Sequence, residues 1–264
     1  MLSRLAIMKT LCKYVWLFFF TLILSLPIHA KEVAEVINLL GVLKKKSASG
    51  EVVEMKKKDK VSVGDVLITG DGAFVQIKFI DKGEMIMRPG TEVTIADYGF
   101  DESNPKADKA NLEIAKGGLR RLTGLIGKRG DKSADQLKTP TATVGIRGTV
   151  YETVVVLPNA TQLDSNLAPG EYFKTHSGSI AVTTPLGTIE IPAGKFGVVK
   201  RDKADLNKTE APVVLDKDPG LPPFNPPKDA QIGGGECEAS LNINNFFLHN
   251  VTQVTMHTLY PQGR

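Results

Sequence analysis

From Val33 to about Lys200, apolar and polar residues alternate with period two, and the apolar set is dominated by Val and Ile. Such alternation predicts half-buried strands, because successive side chains on a strand point to opposite faces. The run Ala73–Ile80 puts Val75, Ile77 and Phe79 on one face. Val93 and Ile95 share a face in the run Thr91–Tyr98, with Thr94 opposite. Turn residues punctuate these runs at Gly70-Asp71-Gly72, Asp81-Lys82-Gly83 and Arg88-Pro89-Gly90. Each supplies either a residue that tolerates positive φ or a preset bend.

Later strands are launched by glycines seven to nine residues apart, at Gly178, Gly187 and Gly194. That spacing fits either solenoid-like coils or a sandwich of short strands with glycine corners. The segment Leu112–Leu122 reads as strand, turn and strand, and an exposed loop is expected from there to about Gln136. Pro and Gly dominate from Pro212 to Glu236, so residues 201–236 read as an extended linker. Residues 237–264 alternate enough for one or two strands but are too few to fold alone.

Residues 1–30 have the three-part pattern of an export signal. Arg4, Lys9 and Lys13 precede the uncharged run Tyr14–Leu26, and Ala30 ends a plausible cleavage site. The apolar run is shorter than the ~20 residues of a membrane-spanning helix. The expected organisation is therefore a signal peptide at 1–30, a β-domain at 31–200, the linker and a short C-terminal segment. The chain's formal charge of +4 comes partly from the signal: without it, 30 Lys and Arg stand against 29 Asp and Glu. A persistent basic face for nucleic acid is thus not indicated. Only Cys237 remains after the signal, so no internal disulfide is expected.

Catalytic patterns are weak. His176 and Ser177 are adjacent on a predicted strand and point apart, and no Gly-x-Ser-x-Gly elbow is present. His249, His257 and Cys237 lack the spacing that fixes metal ligands on one element. Gly145–Thr149 has neither the glycine spacing nor the lysine of a phosphate loop. The Arg129-Gly130-Asp131 tripeptide reads as part of a solvated loop. No enzyme activity, cofactor or metal is expected. The run Val42–Val61 predicts a hairpin turning at Ser47–Gly50, with Lys44, Lys45 and Lys46 near Lys56, Lys57 and Lys58 across it. These lysines form either a solvated edge that blocks aggregation or a patch for an anionic glycan or lipid surface.

The run Thr139-Pro140-Thr141-Ala142-Thr143-Val144-Gly145-Ile146-Arg147-Gly148-Thr149-Val150-Tyr151 resembles the signature of the FecR domain family. Val63–Ile95 is similar to the family's opening strands, and Ser177–Val199 to its closing ones. One departure is Lys82-Gly83-Glu84, where the family usually has Asp-Gly-Ser. The resemblance implies an all-β, often solenoid-like module outside the cytoplasm that receives signals by protein contact. In the founding members a transmembrane helix joins this module to a cytoplasmic segment controlling a sigma factor. Too few residues precede the apolar run here for such a segment, so only the receiving half is expected.

The motif residues Thr139, Pro140, Gly145, Arg147, Gly148 and Thr149 are expected to be structural or partner-contacting. Gly145 and Gly148 would be backbone corners, Arg147 a clamp on carbonyls or a carboxylate, and Thr139-Pro140 the strand's entry. The expected function is a non-catalytic binding or scaffold module in a Gram-negative periplasm or envelope, engaging another envelope protein along strand edges. The alternative is an exported small-molecule- or glycan-binding protein, or an enzyme, with its site built on the β-scaffold.

Overall fold

The structure is a computed structural model and describes residues 31–129, 131, 133–158, 167–201, 205 and 208–224. The all-β expectation holds. Fifteen strands follow one another: β1 (Glu32–Leu40), β2 (Leu43–Lys46), β3 (Val52–Glu54), β4 (Lys60–Ser62), β5 (Val66–Thr69), β6 (Phe74–Phe79), β7 (Glu84–Met87), β8 (Glu92–Gly99), β9 (Lys109–Leu122), β10 (Asp135–Lys138), β11 (Thr143–Val156), β12 (Gly170–Thr184), β13 (Gly187–Pro192), β14 (Phe196–Lys200) and β15 (Val213–Leu215). Two single-turn 3₁₀ segments interrupt them.

All fifteen strands belong to one hydrogen-bonded sheet. The long strands β9, β11 and β12 each change partners halfway. The first half of β9 pairs with β8 and β10; its second half pairs with β7 and β11. Likewise β12 meets β14 with its first half and β13 with its second. The sheet thus bends into two half-sheets, one running β3-β2-β5-β8-β9-β10-β11-β12-β13 and the other β4-β1-β6-β7-β9-β11-β12-β14-β15. Leu67, Val93, Leu112, Val144 and Val182 of the first join Val36, Ile77, Leu119, Val155 and Phe173 of the second in one buried cluster. Each such side chain contributes about 1.5–3 kcal/mol on burial.

Glycines allow the bend. Gly117, Gly148 and Gly178 sit where β9, β11 and β12 turn, all with positive φ. At Gly117 (φ 87°) a Cβ would lie 2.4 Å from Thr91 Oγ1, so both backbone angle and space demand glycine. Buried threonines staple the corners. The Thr91 hydroxyl accepts the Gly118 N–H at 2.9 Å, Thr69 accepts the N–H of Thr91 at 2.8 Å, and Thr123 accepts that of Thr149 at 2.8 Å. Each hydroxyl satisfies a backbone donor that the bend would otherwise strand in the core.

Two expectations are corrected. The expected exposed loop before Gln136 buries Ile126 and Ala134 completely or nearly so, and continues into β10, which runs parallel to β9. The expected linker also differs. Val213–Leu215 add a strand to β14, and Phe224 is 1% exposed. Residues 1–30, the expected signal, and 225–264, which include Cys237, His249 and His257, lie outside the described residues.

Candidate interaction surface

The Thr139–Thr149 motif lies at the entry to and along the first half of β11. Thr139 accepts the N–H of Ala142 at 2.9 Å and its hydroxyl donates to the carboxylate of Glu171. The Thr141 N–H donates to the same carboxylate at 2.9 Å, and Arg201 approaches it at 3.5 Å. Glu171 therefore ties the Thr-Pro-Thr turn to β12, with Pro140 exposed on the turn. Burial pushes the Glu171 carboxyl up, against the pull of Thr139, Thr141 and Arg201.

Gly148 is a corner (φ 57°), as its sequence position suggested. Gly145 is not: its φ is not positive, and a Cβ there would meet only the Ala181 carbonyl, at 3.9 Å. Thr149 is buried, its backbone bound to Thr123 on both sides. Arg147 corrects the clamp expectation, because its side chain is exposed and makes no hydrogen bond or ion pair among the described residues. The alternation that buries Val144 and Ile146 turns Arg147 outward.

The clamping falls to another arginine. Arg121 is fully buried, paired with the buried Asp135 and facing Tyr98 and Tyr151. Asp81 completes the cluster by accepting the Tyr98 hydroxyl at 2.7 Å and the Gly83 N–H at 3.0 Å. Burial alone would lower the Arg121 pKa, but Asp135 and the surrounding oxygens outweigh it and keep the guanidinium charged. Burial pushes the Tyr98 and Tyr151 phenols up, so both stay neutral. On the opposite face of the same strand, Arg120 Nε donates to Glu152 at 2.7 Å, and His176 Nε2 is 2.6 Å from the same oxygen. The inward charges Arg121, Asp135 and Glu171 were not among the residues expected to form a site. Their signal was a charge at a position where period two calls for an inward residue, as in Leu119-x-Arg121 and Glu171-x-Phe173.

The lysine hairpin turns at Ser47–Gly50 as expected. Its register places Lys44 opposite Glu54, Lys45 opposite Val53 and Lys46 opposite Val52, rather than facing Lys56–Lys58. Lys56, Lys57 and Lys58 belong to the next turn, where the Lys58 N–H donates to Val36. Lys45 is drawn to Asp65 at 3.6 Å. Arg129 is anchored too: it bonds Asp108 at 2.9 Å and the Asp101 carbonyl at 2.6 Å, and lies over the Phe100 ring. Asp131, by contrast, is exposed and bonds only the neighbouring Ser133 through its side chain.

Two surfaces stand open. An open groove of about 760 Å³ is lined by Lys138, Thr139, Pro140, Thr141, Thr183 and Arg201, among others. The second is the edge of the sheet. Four strands pair on one side only among the described residues: β3, β4, β13 and β15. Of these β13 is the longest, with six residues against three in each of the others. The row running inward from it passes Pro192, Ser179 and the exposed Arg147.

Residues 65–166 match the family described as FecR protein. Two crystal structures of a protein described as a "putative anti-sigma factor" from Parabacteroides distasonis ATCC 8503, at 1.65 and 2.50 Å resolution, are similar at 14% identity with a TM-score of 0.41. The similarity covers 58% of this chain and 60% of each of those. No curated protein matches the chain.

Proposed function

We propose that the protein is an exported, non-catalytic FecR-domain module that binds another envelope protein in signal reception, through the free edge of β13. The observation that carries this reading is a six-residue edge strand, unpaired on its outer side among the described residues, in register with an exposed arginine of the family motif. Outward N–H and C=O groups on such a strand offer ladder bonds to an incoming strand. Arg147 lies two strands in, about 10 Å from that edge, and presents five donors to a carboxylate or carbonyls on the partner. Export to the periplasm rests on the signal pattern at residues 1–30.

A photocrosslinking residue at Thr188, on the edge strand, tests this in intact cells. A discrete protein adduct that is lost in an Arg147→Ala background, with thermal unfolding unchanged, supports the reading. Recovery of no protein, or equal recovery with and without Arg147, overturns it. The groove beside Thr139 supports a second reading, a small ligand with oxygen acceptors held by Lys138 and Arg201. Isothermal titration of the purified protein against carboxylated sugars decides that reading.

A further inference from the structure

The outer face of the second half-sheet carries its own hydrophobic cluster. Val154, Val156, Tyr172, Val198 and Phe224 form it, separate from the main core. Its floor is Gly118: a Cβ there would lie 3.4 Å from both the Phe224 ring and Val154. The Phe224 ring lies in the resulting trough with Arg88 at 5.4 Å and Arg120 at 5.1 Å from its centroid. Planar guanidiniums over an aromatic face attract its quadrupole, and desolvation strengthens the attraction. A sheet face with a glycine floor and arginine walls thus forms a receptacle for one aromatic side chain.

The occupant is held unlike the rest of the fold. After β15 the chain leaves the sheet, and residues 216–224 form no strand. Asp218 satisfies the N–H groups of Gly220 and Leu221, at 2.9 and 2.8 Å, within the segment itself. Leu221 and Phe224 supply the apolar contacts with the second cluster, and Lys195–Asp216 adds a surface ion pair at 2.7 Å. Pro222 and Pro223 precede the aromatic residue, so the segment is stiff before it docks and loses little entropy on docking. Among the described residues, no ladder ties it down.

We propose that this trough is a receptor groove for an extended, proline-flanked aromatic segment of a partner protein, and that the chain's own Leu221–Phe224 occupies it until such a segment displaces it. The recognised chemistry is that of the resident strap: an aromatic ring for the Gly118 floor between Arg88 and Arg120, and an aliphatic side chain three residues earlier. Arg120 also bonds Glu152, which holds His176, so the groove wall is positioned by a buried ion pair. No residue of β13 lines this trough, and the proposal does not rest on the edge-strand reading.

The test uses the full chain disarmed by Leu221→Ala with Phe224→Ala, and a fluorescently labelled peptide of residues 216–228 as the probe. Fluorescence polarisation is expected to show saturable binding to the disarmed chain, at least about ten-fold tighter than to the unaltered chain, where the strap competes. Replacing the peptide's phenylalanine by alanine, or adding Gly118→Leu to the disarmed chain, is expected to abolish binding. No saturable binding by a disarmed chain that keeps its unfolding transition overturns the proposal, as does equal binding by the unaltered or Gly118→Leu chains. A dimer formed on mixing disarmed and intact chains, without peptide binding, assigns the groove to a second copy and also overturns it. Hydrogen exchange on the unaltered chain gives a test free of variants: Leu221 and Phe224 amides are expected to exchange at least about a hundred-fold faster than those of β11. Exchange at the same rate as β11 means the strap opens only with global unfolding, and overturns displacement.

Discussion

Arg121 and Asp135 place a full ion pair inside a β-core, with Asp81, Tyr98 and Tyr151 around it. Taking two charges out of water is costly, and their attraction repays it only while both partners are present. Asp135→Ala is therefore expected to lose about 3–5 kcal/mol in urea unfolding, because it strands a buried guanidinium. Arg121→Met combined with Asp135→Leu is expected to recover most of that loss, since neither charge then needs solvation. Glu152 responds to pH in a way that can be read separately. Burial would raise its carboxyl, but the hydrogen bond from His176 and the charge of Arg120 outweigh it and hold it below the ordinary value of 4.5. A carboxyl with a lowered folded pKa contributes stability above its unfolded value and loses it as pH falls through the folded one. Below about pH 4.5 the wild-type stability is thus expected to fall, and the Glu152→Gln chain, less stable at neutral pH, to fall less steeply over the same acid range, in unfolding curves taken from pH 6 to 2.

The bent strands make a sharper distinction among glycines than their sequence context does. Gly117 has φ 87° with Thr91 pressed against it, whereas Gly145 lies flat on an outer face with room for a methyl group. Gly117→Ala is expected to cost at least about 2 kcal/mol from strain and overlap. Gly145→Ala is expected to leave stability unchanged or raise it by roughly 0.5 kcal/mol, since glycine weakens a strand interior; thermal unfolding of the two variants measures the contrast. Much of this was legible in the sequence. Period-two runs located the strands, and Gly-Asp-Gly and Pro-Gly located turns. A glycine in a strand does not reveal its φ, however, and Gly145 and Gly148 look alike as letters. Arg147 and Arg121 were also indistinguishable by type; only strand phase separates them, because Leu119 and Arg121 share the inward face while Arg147 alternates with inward Val144 and Ile146. The Thr139-Pro140-Thr141 turn was visible, but its partner Glu171 lies thirty residues on and could not be paired with it from spacing. The region before Gln136 was expected to be an exposed loop, although Ile126 and Leu137 are apolar anchors that the sequence already shows.

The two half-sheets bury one face each against the common core, and this leaves two outer faces with different fates. On the first, Thr143, Gln136, Lys138 and Thr183 keep the surface polar. On the second, Val154, Tyr172 and Val198 are apolar and are covered by Phe224, with Leu167, Leu215 and Leu221 packed against the same cluster. The proline-rich composition that suggested a linker is what lets this segment lie extended on a sheet without competing for its hydrogen bonds. An exposed contiguous apolar patch on a β-protein promotes association, and a freed edge at β14 adds a template for strand pairing. Deleting residues 213–264 is therefore expected to do two things at once. The loss of buried Phe224 removes about 2–3 kcal/mol, which lowers Tm by roughly 5–10 °C for a domain of this size. The bared face is expected to bind a hydrophobic dye and to drive concentration-dependent self-association, read by light scattering. Phe224→Ala in the full chain separates the contributions: it should reproduce most of the Tm loss while retaining β15, and so scatter less than the truncated chain.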